Sequence, residues 1–240
     1  METTNVYKFA EGTERATIRT GLAPEIFVYK GFEYTVYDRN SFIDSIVKFG
    51  DASITVAAFN VDQKTITAII DVENEDRPHD KITLAMKPTN ELARWMVVLN
   101  TRMDHRQFVK FLERQKKMKL DSMIAAVKQL KFVTQTTGDF SFDDNNNYSF
   151  IFKVGDAEGT ARLPQSMDVE FDPILENGIL SGAVTFEIEL VKPVNEKDRP
   201  GIILSSPLLT DLLEAAVKAE IEEVRKALPD YLIMNGAIVR

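Results

Sequence analysis

The chain contains no cysteine among its 240 residues. That absence excludes disulfide bonds, thiolate nucleophiles, zinc–thiolate sites and iron–sulfur clusters, and it fits a reducing compartment. There are only two histidines, His79 in a polar loop and His105 at the start of a predicted helix. General acid–base catalysis near neutral pH most often uses histidine, and neither residue belongs to a recognisable pattern with a serine nucleophile. We therefore interpret both as structural or solvent-exposed.

Targeting segments and long apolar runs are missing as well. The start Met-Glu-Thr-Thr-Asn lacks the basic and apolar parts of a signal peptide, and no uncharged run reaches the length that spans a bilayer. We therefore expect a protein of the cytoplasm with no membrane partner. The glycine-rich motifs of nucleotide-binding loops and the Gly-x-Ser-x-Gly motif of hydrolases do not occur. From these absences we assign no catalytic residue, no metal ligand and no cofactor.

What the chain does have is an ordinary globular composition with an acidic balance. Hydrophobic residues make up 44% and charged residues 28%, and the formal net charge is −8. A chain of this length can bury a large core. The negative charge opposes non-specific attraction to phosphate backbones, so any contact with nucleic acid requires a local basic patch.

Three helices are predicted between residues 90 and 131. The second begins at Asp104, because Asp104 and Gln107 form a variant of the capping box that opens many helices. Trp95 lies on the apolar face of the first helix, where we interpret it as a core residue. The three apolar faces are formed by Leu92, Trp95, Met96 and Leu99, by Phe108, Phe111 and Leu112, and by Met123, Ile124, Val127 and Leu130.

Part of this helical stretch is similar to a known family. The pattern Glu91-x-x-x-Trp95, then Met103-x-x-x-Gln107-Phe108-x-x-Phe111-Leu112-Glu113, resembles the YfdQ-like family of tailed-phage and prophage proteins. Ser41-Phe42-Ile43-Asp44, ahead of a short apolar helix, resembles the Ser-Phe-Ile-Asp opening of that family. The similarity covers residues 24 to 192, and its motifs are mostly aromatic and apolar, as in a shared core. It implies a phage origin and action in the bacterial host cytoplasm, and it carries over no catalytic residue because the role of the family is uncharacterised.

Strand patterns lie on both sides of the helical block. Before it, strands 26–29 and 32–37 flank Lys30-Gly31 as a predicted hairpin. A second hairpin joins strands 54–59 and 65–72, and a further strand is predicted over 82–86. After it, strands are predicted over 133–142, 148–154, 159–163, 169–171 and 183–192. Because regular alternation of strand and helix is absent, we predict an α+β fold. It has largely antiparallel sheets, a central block of three helices and a long C-terminal amphipathic helix.

The C-terminal segment is predicted to be an appendage separate from the core domain. We divide the chain into an N-terminal arm (1–22), an α+β core domain (23–204) and a docking or assembly appendage (205–240). Ser206 is a suitable N-cap and Pro207 suits the first position of a helix that Pro229 ends. The tail 231–239 is too apolar to remain in water, so we predict one or two docked short strands there.

The C-terminal helix carries an apolar stripe that needs a surface to cover it. The segment packs either on its own domain or on another copy, and we assign the stripe to assembly of a homo-oligomer. The stripe consists of Leu209, Leu213, Val217, Ile221, Val224 and Leu228, with the acids Glu214, Glu220, Glu222 and Glu223 on other faces.

The strongest candidate site is a basic run in the middle of the chain. Residues 102–119 carry Lys or Arg at positions 102, 106, 110, 114, 116, 117 and 119, against only two acids, Asp104 and Glu113. The stripe Arg106, Lys110, Arg114 and Lys117 recurs at near-helical spacing on the face opposite the apolar one. Three interpretations are open: a solvated helix face, a surface for nucleic acid or a phosphorylated small molecule, or a partner for the acidic C-terminal helix of the same or another subunit.

Acidic residues give weaker candidates. The run 143–147, Asp-Asp-Asn-Asn-Asn, begins like a calcium-binding loop. However, Tyr148 stands where the sharp turn needs glycine and Val154 where a bidentate glutamate is needed, so we interpret the run as a polar turn. A metal-dependent hydrolase would have to gather scattered acids such as Asp71, Asp168, Glu187 and Glu189. Alternation along the predicted strand directs the last two of these to water instead.

Three functional hypotheses remain. The leading one is a non-enzymatic phage accessory protein that acts by homo-oligomeric assembly and binding, including sequestration of a ligand in counter-defence. The second is a nucleic-acid-binding accessory factor in phage recombination or replication, based on the basic run. The third is a metal-dependent hydrolase. The missing catalytic motifs favour the first.

Overall fold

The helices and strands lie in the residues that the computed structural model describes, which are 31–73, 78–115, 118–129, 140–142, 147–154, 157–191 and 201–236. The helices are α1 (Arg39–Phe49), α2 (Asn90–Val98), α3 (His105–Arg114), α4 (Asp121–Gln129) and α5 (Leu209–Ala227). The strands are β1 (Glu33–Val36), β2 (Val56–Asn60), β3 (Thr65–Ile70), β4 (Asp80–Ala85), β5 (Met103–Asp104), β6 (Phe140–Phe142), β7 (Asn147–Val154), β8 (Ala157–Pro164), β9 (Ser166–Phe171), β10 (Gly182–Val191), β11 (Gly201–Ser205) and β12 (Leu232–Asn235).

These strands form three sheets. The first has the order β1-β4-β3-β2-β12, the second β5-β11-β10-β9 and the third β6-β7-β8. Within the described strands, β1–β4 and β12–β2 are parallel pairs and the remaining pairs are antiparallel. Strands precede and follow the block of α2, α3 and α4. The predicted α+β class with largely antiparallel sheets is therefore confirmed.

The hairpin between β2 and β3 forms where the sequence predicts it. The side-chain oxygen of Asn60 accepts a hydrogen bond from the backbone N–H of Gln63 at 2.9 Å. Lys64 completes the turn with φ of 55°. The chain then alternates along β3, so that Ile66 and Ala68 are buried in the core.

Only the second strand of the first predicted hairpin lies in the described residues. Strand β1 pairs in parallel with β4, with Glu33 opposite Lys81, while residues 26–30 lie outside the described part. Gly31 has φ of +69°, and a Cβ atom there would lie 2.9 Å from the carbonyl oxygen of His79. Glycine is therefore required at this point by both backbone conformation and space.

Helix α5 belongs to the core. It packs against β10 of the second sheet and against α1, which in turn packs on β1 and β4 of the first sheet. Residues 31–240 form one compact unit. All six members of the predicted assembly stripe are only 0–6% exposed: Leu209, Leu213, Val217, Ile221, Val224 and Leu228. Side chains buried in their own chain cannot cover another copy. Their assignment to an assembly surface is thus corrected, and the boundary predicted at 204/205 does not separate two packing units.

The start of α5 also differs from the prediction. Ser206 does not cap the helix; its hydroxyl donates to the backbone oxygen of Thr185 in β10 at 2.8 Å. The residue at the N-cap position is Leu208, and no side chain caps the helix there. The helix ends at Ala227, shortly before Pro229. One predicted tail strand is present as β12, while residues 237–240 lie outside the described part.

Several other sequence predictions fall on residues outside the described ranges or differ from the structure. The predicted arm (1–22), Lys117, and most of the runs 133–142 and 143–147 lie outside them. The segment Ser41–Asp44 lies inside α1 rather than ahead of it. Strand β11 was not expected; its partners β10 and β5 come from distant parts of the chain.

Candidate anion-binding surface on helix α3

Helix α3 is fixed at its N-terminus by the predicted capping box. The side chain of Asp104 accepts from the backbone N–H of Gln107 at 2.8 Å, and the side chain of Gln107 accepts from the backbone N–H of Asp104 at 2.8 Å. Two N–H groups that the helix geometry leaves unpaired are thereby satisfied. The capping box is confirmed.

A histidine ties α3 to α4. The Nε2 atom of His105 lies 2.6 Å from the backbone oxygen of Val127. A carbonyl oxygen only accepts, so Nε2 carries the proton and donates. The other histidine, His79, has its Nδ1 atom 3.1 Å from the backbone oxygen of Asp71. Both histidines therefore contact backbone oxygens of neighbouring segments.

The inner face of α3 packs into an aromatic cluster. Phe108 and Leu112 are fully or almost fully buried. The ring of Phe111 meets Trp95 edge-on at 4.9 Å between centroids, and Trp95 stacks on Phe186 of β10 at 4.4 Å. Trp95 is completely buried, so it is a core residue, as predicted, and is not available to stack on a base.

The outer face of α3 carries exposed cations. Arg106, Lys110 and Arg114 are all exposed and recur every four residues; we call them the α3 row. None of the three makes an ion pair with any residue in the described part of the chain. The one acid within α3, Glu113, is paired with Lys128 of α4 at 2.7 Å.

Arg102, which begins the basic run, is held elsewhere. A Cβ atom at Gly201 of β11 would collide with the Arg102 side chain, so this side chain lies directly over Gly201. The stem of Arg102 therefore lies over the β5–β11 pair, and Arg102 is not a member of the α3 row.

The acids of α5 have other partners in this chain. Glu220 pairs with Arg39 of α1 at 2.8 Å. Glu222 pairs with Arg225 and Glu223 with Lys226, each at 2.6 Å. The hydrogen bond and charge of Lys226 lower the pKa of Glu223. None of Arg106, Lys110 and Arg114 pairs with an acid of α5 in the described part of the chain, so the structure contradicts intramolecular pairing for these three members of the stripe.

A cleft lies beside the α3 row, at the junction of α3 and α4. Its volume is about 460 Å³, and it is lined by Leu112, Glu113, Gln115, Met118, Lys119, Asp121, Ile124 and Lys128. Gln115 is buried and donates from Nε2 to the backbone oxygen of Phe111 at 3.3 Å. The two acids and two lysines of the lining balance. The cleft thus adds shape and polarity beside the row but no net positive charge.

Among the described residues, the acids considered for a hydrolase do not come together. Glu187 and Glu189 are exposed on the outer face of β10, as alternation predicts. Asp168 accepts from the hydroxyl of Thr185 on that sheet at 2.6 Å, while Asp71 follows β3 in the first sheet. No three Asp, Glu or His side chains in the described ranges lie close enough to hold a metal ion.

Comparisons of the chain with family models, with curated proteins and with solved structures find no match. The resemblance to the YfdQ-like family therefore stays a prediction. Among the helices of the described residues, none is long and apolar enough to cross a membrane.

Proposed function

We propose that the protein is a non-enzymatic binding protein that holds the sugar–phosphate backbone of a nucleic acid along helix α3. The observation that carries this proposal is the α3 row, which is exposed and makes no ion pair within the described residues. Acids outnumber Lys and Arg by 37 to 29 in this chain. Within this acidic chain, the three cations of the row stand together on one helix face without a neutralising acid in the described ranges, so they are available to an external anion.

The linear arrangement favours an extended anion over a compact one. Each step of four residues along a helix rises about 6 Å, so the row extends over about 12 Å. That line of cations suits successive phosphates of a strand. A small phosphorylated molecule is better held by groups that converge on one point, and the described cations of the row do not converge.

Binding of this kind reads charge and not sequence. Contacts to phosphates position a nucleic acid without carrying base information. The aromatic residues nearest to the row are directed inward, because Trp95 is fully buried and Phe111 packs against it. The described part of α3 therefore offers bases no stacking platform. On this proposal, the phage origin implied by the family resemblance would make the protein an accessory factor in recombination or replication.

The test is charge reversal of the row against a matched control. The variant carries Arg106→Glu, Lys110→Glu and Arg114→Glu. The control carries the same charge change on exposed lysines of other helices, Lys48→Glu, Lys218→Glu and Lys226→Glu. Fluorescence anisotropy with labelled single-stranded and duplex oligonucleotides measures the affinity, and circular dichroism verifies the fold.

We expect the row variant to lose at least tenfold in affinity, as removal of several phosphate contacts implies, and the control to lose much less. Equal losses in both proteins would attribute binding to overall charge and reject the row. A native chain that binds a nucleoside triphosphate but no oligonucleotide would reject the proposal.

A further inference from the structure

Strand β12 is an open edge of the first sheet among the described strands. It pairs on one side only, with Leu232 opposite Val56 and Met234 opposite Ala58 of β2. Leu232 is 54% exposed and Met234 is 44% exposed. Both lie on the sheet face opposite the core residues Ala57 and Ala68, beside the half-buried Val56 and the buried Ala58 of β2. The exposed apolar side chains of this face therefore lie at the edge strand itself.

The backbone of this edge has hydrogen-bonding groups directed outward. The N–H of Gly236 donates to the backbone oxygen of Phe59 in β2 at 3.0 Å. In a parallel pair, alternate residues of a strand bond to the same neighbour. Met234 therefore also bonds toward β2, while Ile233 and Asn235 direct their N–H and C=O groups to the open side.

The edge lacks the features that normally prevent association. Residues 231–236, Tyr-Leu-Ile-Met-Asn-Gly, contain no charge and no proline, and these are the usual means by which proteins block a free strand. The opposite edge is different, since Glu33 of β1 is charged and pairs with Lys81 at 3.2 Å. The β12 edge is thus the one suited to accept another strand.

We propose that β12 pairs with β12 of a second copy of this chain, antiparallel across a two-fold axis at Ile233. Residues directly opposite in a sheet share a face, so a self-pairing register must centre on a residue. With Ile233 at the centre, its outward N–H and C=O bond to those of the partner's Ile233. The N–H of Asn235 then meets the carbonyl oxygen of the partner's Tyr231.

The same register covers the exposed apolar side chains. Leu232 lies opposite the partner's Met234, and Met234 opposite the partner's Leu232, in the closely spaced, non-hydrogen-bonded positions. Each exposed apolar side chain of one copy is thus covered by an apolar side chain of the other. The two-fold pairing also closes the β12 edge, so the assembly stops at a dimer.

The size of the contact determines its strength. Strand β12 has four residues, which bury much less than the roughly 800 Å² per partner of a standard interface. We therefore expect a reversible dimer with a dissociation constant on the order of micromolar or weaker. This pairing is independent of ligand binding by the α3 row.

Charge placement tests the register. Sedimentation velocity of the full chain, from about 1 µM to several hundred µM, measures the monomer–dimer equilibrium. Leu232→Lys with Met234→Lys places like charges opposite each other, and we expect the dissociation constant to rise at least tenfold. Leu232→Lys with Met234→Glu places opposite charges together and restores the dimer. Tyr34→Lys, on the 59% exposed tyrosine of β1, is the matched control and leaves the dimer unchanged.

Both test positions are exposed, so the variants keep their fold, which circular dichroism verifies. A chain that stays monomeric at every concentration overturns the proposal. So does a dimer that survives the double-lysine variant or that is lost with Tyr34→Lys. Failure of the lysine–glutamate variant to restore the dimer overturns the proposed register.

Discussion

The ion pair between α1 and α5 can be tested by removing its acid. Glu220 is almost fully buried. Its Oε2 accepts from the Nη1 of Arg39 at 2.8 Å, and its Oε1 accepts from the backbone N–H of Ile179 at 2.8 Å. One carboxylate therefore joins α1, α5 and the loop before β10, and Glu220→Ala breaks all of these connections together.

The expected loss of stability depends on how well water can replace the hydrogen bonds that Arg39 and Ile179 lose. Breaking a buried ion pair by removing one member costs roughly 3–5 kcal/mol. The Arg39 side chain is 19% exposed and Ile179 is 49% exposed, so water can partly replace the lost acceptor. We therefore expect the lower end, about 3 kcal/mol, for Glu220→Ala. Glu220→Gln keeps an acceptor for Ile179 and costs about 1–2 kcal/mol.

Urea unfolding provides the assay. The single tryptophan, Trp95, is buried against Phe186, so its fluorescence reports loss of the core. A double-mutant cycle with Arg39→Met isolates the pair, with an expected coupling of about 1 kcal/mol or more. A loss below about 1 kcal/mol for Glu220→Ala, or additive effects in the cycle, would refute the claim that this pair holds the helices together.

Two further contacts give tests on α1 and α3. The carboxylate of Asp38 caps α1 by accepting from the N–H and hydroxyl of Ser41, both at 2.7 Å, and these bonds lower the pKa of Asp38 below its usual 3.8. Because the folded pKa is the lower one, this stabilisation is present above the unfolded pKa and is lost as the pH falls through the folded pKa. Thermal unfolding from neutral to strongly acid pH should therefore show that the advantage over Asp38→Asn begins to decline near about pH 4 and disappears below the folded pKa; a constant difference would contradict the cap. His105→Ala removes the donor to Val127 and should cost about 1 kcal/mol in urea unfolding, whereas an unchanged midpoint would show that this bond does not hold α4.

Half-buried elements are the ones that the sequence predicts well. In β10, Val184, Phe186 and Ile188 face the core while Glu187 and Glu189 face water, and this period of two is visible in the sequence. The capping box of α3 is likewise local, because its two residues are three positions apart. Such features depend on neighbours along the chain.

Sequence periodicity does not show which distant segments of the chain pack against each other. The apolar stripe of α5 shows that one face is covered, but not that the cover is the chain's own core. Glu220 stands three residues after Val217 and so falls within the buried side of the helix, yet its partner Arg39 is 181 positions away. Strand β11 is short, and its neighbours come from separate parts of the chain.

The candidate site was located by sequence but not characterised by it. Helical spacing predicts that Arg106, Lys110 and Arg114 share a face. Whether acids neutralise them depends on packing, and the structure shows Glu113 bonded to Lys128, and Glu220, Glu222 and Glu223 of α5 bonded to other cations. The packing therefore bears on one of the three interpretations of the basic run, intramolecular pairing with α5.

The most direct test of nucleic-acid binding by the α3 row is the salt dependence of affinity for a single-stranded oligonucleotide. The native chain is compared with a variant carrying Arg106→Gln, Lys110→Gln and Arg114→Gln. Each phosphate contact on a single strand contributes about −0.7 to the slope of log affinity against log salt concentration. Loss of the row should therefore weaken binding and flatten the slope by about 2. Equal slopes for the two proteins, or no binding by the native chain at low salt, would contradict the proposed function.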